Sequence, residues 1–206
     1  MRKLYLFNMI TLDGFFEGAN RELDWHNVDD EFNDFAIDQL NRTDLILFGR
    51  VTYEMMAGYW PTPEATKDDP IVADKMNSLP KIVFSRTLEK AGWTNATLIK
   101  GKIAEEVLRL KQLPGKEIAI FGSSELALTL IHHRLIDEFR IIVNPVVLGA
   151  GKPLFRGIDI RLNLQLLKVK EFASGNVLLC YEPVMKWRPF SKEGVSLPDR
   201  QIQRNR

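Results

Sequence analysis

Residues 118–155 read IAIFGSSELALTLIHHRLIDEFRIIVNPVVLGAGKPLF, and the punctuation of this stretch decides the fold. An apolar run over residues 118–121 stops at Gly122. Ser123, Ser124 and Glu125 follow, and apolar positions then recur with helical period as far as Leu135. A second apolar run, residues 139–143, is rich in β-branched residues. The pattern predicts strand, glycine turn, helix, strand. In such a unit the glycine lets the backbone approach a ligand closely, and the free amides at the helix start favour an anion such as a phosphate. The same pattern also serves as a plain connection.

Working outward, residues 3–10 are apolar nearly throughout, as a strand buried on both faces is. Residues 45–48, 81–84 and 97–99 read as further strands. Helical spacing appears at Val28, Phe32, Phe35, Ala36 and Leu40, with Asp29, Asp30 and Glu31 in the first turn, where the helix dipole favours acids. More helices are expected from Arg50, over residues 71–77, and at Ile103, Val107 and Leu110, the last closed by Pro114-Gly115. Residues 15–26 and 58–69 read as loops. Past residue 160, Leu162, Leu164 and Leu166 alternate and Val169 falls on the other phase, which predicts a bulge near Leu166-Leu167. A turn over residues 173–176 and the alternation of Val177, Leu179 and Tyr181 complete an antiparallel hairpin. The expectation is a three-layer α/β domain over residues 1–183, with a mainly parallel central sheet closed by the antiparallel C-terminal hairpin. Residues 184–206 form a basic tail, in which Trp187 and Phe190 are expected to dock on the body or on a partner subunit.

Composition narrows the function. With 206 residues the chain can build one good core, and 45% hydrophobic with 27% charged residues is ordinary for a soluble globular protein. The net charge of +1 divides into +4 after Pro183 and −3 before it. No basic, aromatic-studded face is visible on the body, so no nucleic-acid partner is expected. Cys180 is the single cysteine, which forbids an internal disulfide and suits the reducing cytoplasm. The N-terminus begins like a signal peptide, but Asn8 breaks its apolar stretch and no cleavage pattern follows. No run approaches a membrane span.

Several motifs are absent. There is no GxGxxG fingerprint. Residues 148–153 mimic a phosphate loop but lack its first glycine, and Pro153 stands where Ser or Thr would be. His132 and His133 are adjacent and cannot face one metal ion together from a helix, so no metal site is expected. What recurs is a device at three strand ends: Phe48-Gly49-Arg50, Phe84-Ser85-Arg86 and Phe121-Gly122-Ser123. In open α/β sheets ligands bind outside the carboxyl ends of the strands. Each arginine alone reads equally as a solvated surface residue. Together they suit a ligand with several phosphates.

Here the chain resembles a known family. LFGRVTYEMM (residues 47–56) resembles the second strand and helix of dihydrofolate reductases. MITLDGFFEG (residues 9–18) resembles the first strand and flexible loop of the reductase domain of riboflavin biosynthesis. LIDEFRIIVNPVVLGAGKPLF (residues 135–155) is similar to the final segment of that domain. The resemblance, to the RibD C-terminal-like proteins of the dihydrofolate-reductase fold, covers residues 2–183. It implies a homodimeric reductase that uses NADPH on a pteridine-like or ribityl-pyrimidine heterocycle. It also implies roles by position. Gly49, Arg50 and Thr52 would meet the cofactor's phosphates, and Ser85 and Arg86 would flank the 2′-phosphate. Gly122, Ser123, Ser124, Glu125 and Leu126 would lie under the pyrophosphate and nicotinamide. The family often has a run of glycines where this chain has Gly122-Ser123-Ser124. The loop from Asp13 to Trp25 would cover the substrate, hinged at Gly14 and Gly18. Trp25 and Asp30 are spaced like the tryptophan and substrate carboxylate of dihydrofolate reductases, which would make Asp30 catalytic. Asp30 reads equally as a first-turn helix acid. A dinucleotide- or pterin-binding protein without turnover is the alternative.

Overall fold

The long apolar runs become the centre of one sheet. The computed structural model describes residues 1–184. The elements run β1 (Leu4–Thr11), β2 (Phe15–Glu17), α1 (Asp30–Arg42), β3 (Thr43–Gly49), α2 (Arg50–Tyr59), α3 (Pro63–Asp68), α4 (Pro70–Ser78), β4 (Lys81–Phe84), β5 (Ala96–Ile99), α5 (Ile103–Gln112), β6 (Glu117–Phe121), α6 (Ser124–His132), β7 (Glu138–Asn144), β8 (Lys152–Pro153), β9 (Leu164–Glu171) and β10 (Val177–Pro183). Eight strands form a sheet in the order β5-β4-β3-β6-β1-β7-β10-β9. The six from β5 to β7 are parallel, and β10 and β9 close the edge in antiparallel fashion. The expected three-layer fold is therefore present.

Alternation along each strand sorts the two outer layers. Leu45 and Leu47 point to the face covered by α5 and α6, where Val107, Leu110, Leu126 and Leu130 are buried. Ile46 and Phe48 point to the other face and pack with Leu40, Tyr53, Val72 and Met76 of α1, α2 and α4. Under α1, Phe7, Phe32 and Phe35 pack with Met9, Ile142 and Phe172. A buried ion cluster lies beside this layer: the Arg140 guanidinium sits 3.8 Å over the Tyr5 ring. It is matched by Glu138 at 2.6 Å, Glu117 at 3.0 Å and the Gln39 side chain. Such pairing is what a buried cation requires.

Three details qualify the sequence reading. Residues 58–69 contain the short helix α3, which the Thr62 hydroxyl starts by accepting the Ala65 amide at 3.2 Å. Six residues are too few to show a helical period. The bulge falls at Leu167: Cys180 pairs with Lys168 and Tyr181 with Leu166, which leaves Leu167 as the extra residue. Finally, the loop before α1 is tied down, because β2 pairs with β8 in a two-stranded ribbon. The expected docking of Trp187 and Phe190, and the tail beyond residue 184, lie outside the described residues.

Candidate functional site

The carboxyl ends of β3 and β6 are neighbours, and a helix starts from each. Among the described residues, α1, α3 and α4 are capped by the side chains of Asp29, Thr62 and Asp69. Three helices have no capping side chain: α2, α5 and α6, starting after Gly49, Lys102 and Ser123. All three follow directly on the carboxyl end of a parallel strand. Their first-turn amides are therefore donors that the chain itself leaves open, at the positive end of the helix dipole. That arrangement suits a phosphate-bearing ligand.

The starts of α2 and α6 are fastened together. The Ser123 hydroxyl accepts the Gly49 amide at 3.0 Å, and the Ser123 amide donates to the Thr52 hydroxyl at 3.0 Å. Gly122 makes this closeness possible. Its φ is +61°, and a Cβ there would lie 3.1 Å from Thr52 Cγ2. At Gly49 a Cβ would meet only ordinary contacts, with Ser123 and Leu126 at 3.8 Å. Gly49, Thr52, Gly122, Ser123, Ser124 and Leu126 are thus gathered at one place. Glu125 turns outward, 3.4 Å from Lys152 of β8.

Two cavities open at the strand ends, and the larger one reaches this junction. One, of about 700 Å³, lies at the ends of β4 and β5 and is lined by Ser85, Arg86, Lys102, Thr129 and His133 among others. The Ser85 hydroxyl closes its own turn by accepting the Thr87 and Leu88 amides at 3.2 and 2.9 Å. Arg50 lies outside this lining, with its half-exposed guanidinium 2.8 Å from Glu54. The other cavity, of about 870 Å³, opens between α1, α2 and the ends of β1 and β6. Phe7, Asn8, Thr52, Phe121 and Gly122 line its inner end. The loop of residues 13–26 contributes Phe16, Glu17, Arg21, Leu23 and His26 to its wall.

Asp13, Trp25 and Asp30, the residues expected at the substrate, all stand apart from that lining. Asp13 is exposed and accepts the Thr11 hydroxyl at 2.6 Å, with the Gly149 and Leu148 amides at 2.8 and 3.3 Å. These donors, the Thr11 hydroxyl foremost, hold its pKa below the usual carboxylate value. It fastens the β1–β2 turn to the turn at Leu148-Gly149. Trp25 donates its indole N–H to the Glu22 carbonyl at 3.2 Å and packs edge-on against His26, with ring centroids 4.5 Å apart. Asp30 is the exposed first residue of α1, next to the capping residue Asp29.

His26 is a site residue that the sequence reading missed. It lines the larger cavity, and its Nε2 is buried without a hydrogen-bond partner among the described residues. Burial pushes its pKa down to about 4. Val51, Met55 and Tyr59 were also missed. They recur at every fourth position of α2, a stripe that was available as a signal.

Comparison with known proteins gives the family and the fold. The RibD C-terminal domain family matches residues 2–178. "Uncharacterized protein YyaP" of Bacillus subtilis is 40% identical over 182 residues, 87% of this chain and 94% of YyaP. Two solved structures share the fold. The diaminohydroxyphosphoribosylaminopyrimidine deaminase/5-amino-6-(5-phosphoribosylamino)uracil reductase of Thermotoga maritima is similar with a TM-score of 0.64 at 14% identity, covering 89% of this chain and 57% of that one. Dihydrofolate reductase of Enterococcus faecalis, complexed with NADP(H) and RAB-propyl, is similar with a TM-score of 0.58 at 16% identity, covering 88% and 96%.

Proposed function

The chain belongs to the RibD C-terminal domain family, and from that premise we propose that it is an NADPH-dependent reductase of a pteridine-like or aminopyrimidine heterocycle. One observation carries the reading: two uncapped helix starts, locked together by Ser123, border the larger cavity at Thr52 and Gly122. The amides of α2 and α6 would hold the cofactor's pyrophosphate. Ser85 and Arg86 would take the 2′-phosphate in the smaller cavity. Asn8, Thr52 and Gly122 would border the nicotinamide in the larger one, against the substrate. The bound cofactor supplies the hydride, and the protein supplies binding, orientation and exclusion of water.

The test is titration with NADPH and NADH, followed by NADPH oxidation across pterins, pyrimidines and quinones. Absence of NADPH binding overturns the proposal. Binding without oxidation by any of them favours the second reading, a dinucleotide- or pterin-binding protein. The position of Asp30 outside the cavity lining speaks for that second reading.

The active unit in this proposal is a homodimer in the cytoplasm. Leu164, Leu166, Leu167 and Val169 are exposed on the edge strand β9, where a second copy would cover them. A single monomeric species in sedimentation at micromolar concentration would refute the dimer. Cys180 is a buried free thiol, and among the described residues no helix is long and apolar enough to cross a membrane.

A further inference from the structure

The larger cavity is lined on one side by exposed apolar side chains. Val51, Met55 and Tyr59 of α2, and Val28 ahead of α1, all line it. These four side chains remain 44%, 45%, 40% and 53% exposed. Apolar side chains left open around one concavity of about 870 Å³ mark a surface for a small apolar ligand to cover. A cavity of this size, continuous with Thr52 and Gly122, suits a small molecule and not a peptide or helix.

The charges on the same wall are unsuited to a phosphate. Glu17, Glu54, Asp68 and Asp69 line the cavity, and Arg21 is the one lysine or arginine among the lining residues. Arg50 neutralises Glu54, and Lys152 stands 3.9 Å from Glu17. Neither Asp68 nor Asp69 has an ion-pair partner among the described residues. Asp68 accepts the Tyr59 hydroxyl at 3.3 Å, and Asp69 accepts the Val72 amide at 3.0 Å as the cap of α4. His26 adds no positive charge near neutral pH, because burial keeps it neutral. Backbone donors are no more available. The starts of α1, α3 and α4 already carry Asp29, Thr62 and Asp69. Of the three open starts, those of α2 and α6 belong to the cofactor in the reductase reading, and that of α5 lines the smaller cavity. A phosphate monoester carries about −1.5 to −2 charges near neutral pH and needs clustered cations or free amides.

We propose that the substrate of this chain is a flat heterocycle without a phosphate group, its ring faces covered by Val28, Val51, Met55 and Tyr59. The proposal rests on the reductase reading, which assigns the open helix starts to the cofactor. It separates this chain from a uracil reductase acting on a phosphoribosylamino substrate.

The experiment uses the full chain saturated with NADPH and three probes that share one ring system. Lumichrome carries no side chain, riboflavin an uncharged ribityl chain, and FMN the same chain with a phosphate. Binding is followed by quenching of probe fluorescence. Lumichrome and riboflavin are expected to bind, and FMN to bind roughly tenfold or more weaker, with the gap narrowing at high salt. Asp68→Asn with Asp69→Asn, which keeps a capping side chain on α4, should bring FMN closer to riboflavin. Met55→Glu should abolish lumichrome binding and leave NADPH binding intact. FMN binding as tightly as riboflavin, or no probe binding at all, overturns the proposal while the reductase reading stands. Failure of NADPH itself to bind overturns the reductase reading instead.

Discussion

The Ser123 hydroxyl accepts the Gly49 amide at 3.0 Å, so the turn that starts α6 is fastened to the turn that starts α2. Ser123 does this from a left-handed conformation, with φ at +57°. Ser123→Ala removes the acceptor and keeps the strained backbone, so it should destabilise the fold by about 1–3 kcal/mol. Ser123→Gly loses the same bond but relieves roughly 1 kcal/mol of left-handed strain. Urea denaturation should therefore rank wild type above Ser123→Gly, and Ser123→Gly above Ser123→Ala. Ser123→Ala above Ser123→Gly would mean that the left-handed backbone costs little, and Ser123→Ala level with wild type would mean that the hydroxyl contributes little.

Gly122→Ala combines a left-handed backbone with a methyl 3.1 Å from Thr52 Cγ2. Thr52 must give way, and its hydroxyl is the acceptor for the Ser123 amide. The expected outcome is a loss of about 1–2 kcal/mol of stability from the backbone alone. NADPH binding should weaken as the two helix starts separate. Calorimetric titration and a denaturant midpoint measure the two effects on one sample.

Cofactor choice is read at Arg86, which lines the smaller cavity with Ser85. Arg86→Ala should weaken NADPH on the order of ten- to a hundredfold and leave NADH almost untouched. Arg50→Ala should do less, because Glu54 already occupies part of its guanidinium. Equal losses for both cofactors would place Arg86 away from the 2′-phosphate.

The buried His26 makes stability depend on pH. Its folded pKa of about 4 lies below its ordinary value of 6.5, so between those limits the unfolded chain binds the extra proton. Stability then rises with pH across that window, and falls as pH drops from 6.5 toward 4. His26→Phe should flatten this part of the profile relative to wild type. Parallel profiles for the two proteins from pH 7 to 4 would show that His26 is as solvated when folded as when unfolded.

Asp30→Asn tests the carboxylate at the start of α1. An exposed first-turn acid contributes about 0.3–1 kcal/mol through the helix dipole. The variant should lose about that much stability and keep its affinity for a heterocyclic ligand. A large fall in turnover with unchanged stability would return Asp30 to the reaction.

The sheet was legible because its strands are continuous apolar runs ended by Gly or Ser, and even the phase slip at Leu167 could be read. The strand-end device was legible for the same reason: Gly49, Ser85 and Gly122 each follow a phenylalanine that closes a strand. Other features depend on contacts between distant segments. Charge alone could not separate Asp29, which caps α1, from Asp30, which only begins it. Trp25 has the spacing of a substrate residue, yet its ring is spent against His26. The isolation of His26 itself is a product of burial, which no local pattern encodes.

The open helix starts have a consequence for the life of the protein in a cell. A capping side chain typically contributes about 1 kcal/mol, and α2, α5 and α6 each forgo one. A ligand that binds only the folded chain restores that stability by mass action. Chains made when the cofactor is scarce would unfold more often and meet proteases sooner. The abundance of the protein would then follow the supply of the molecule it uses.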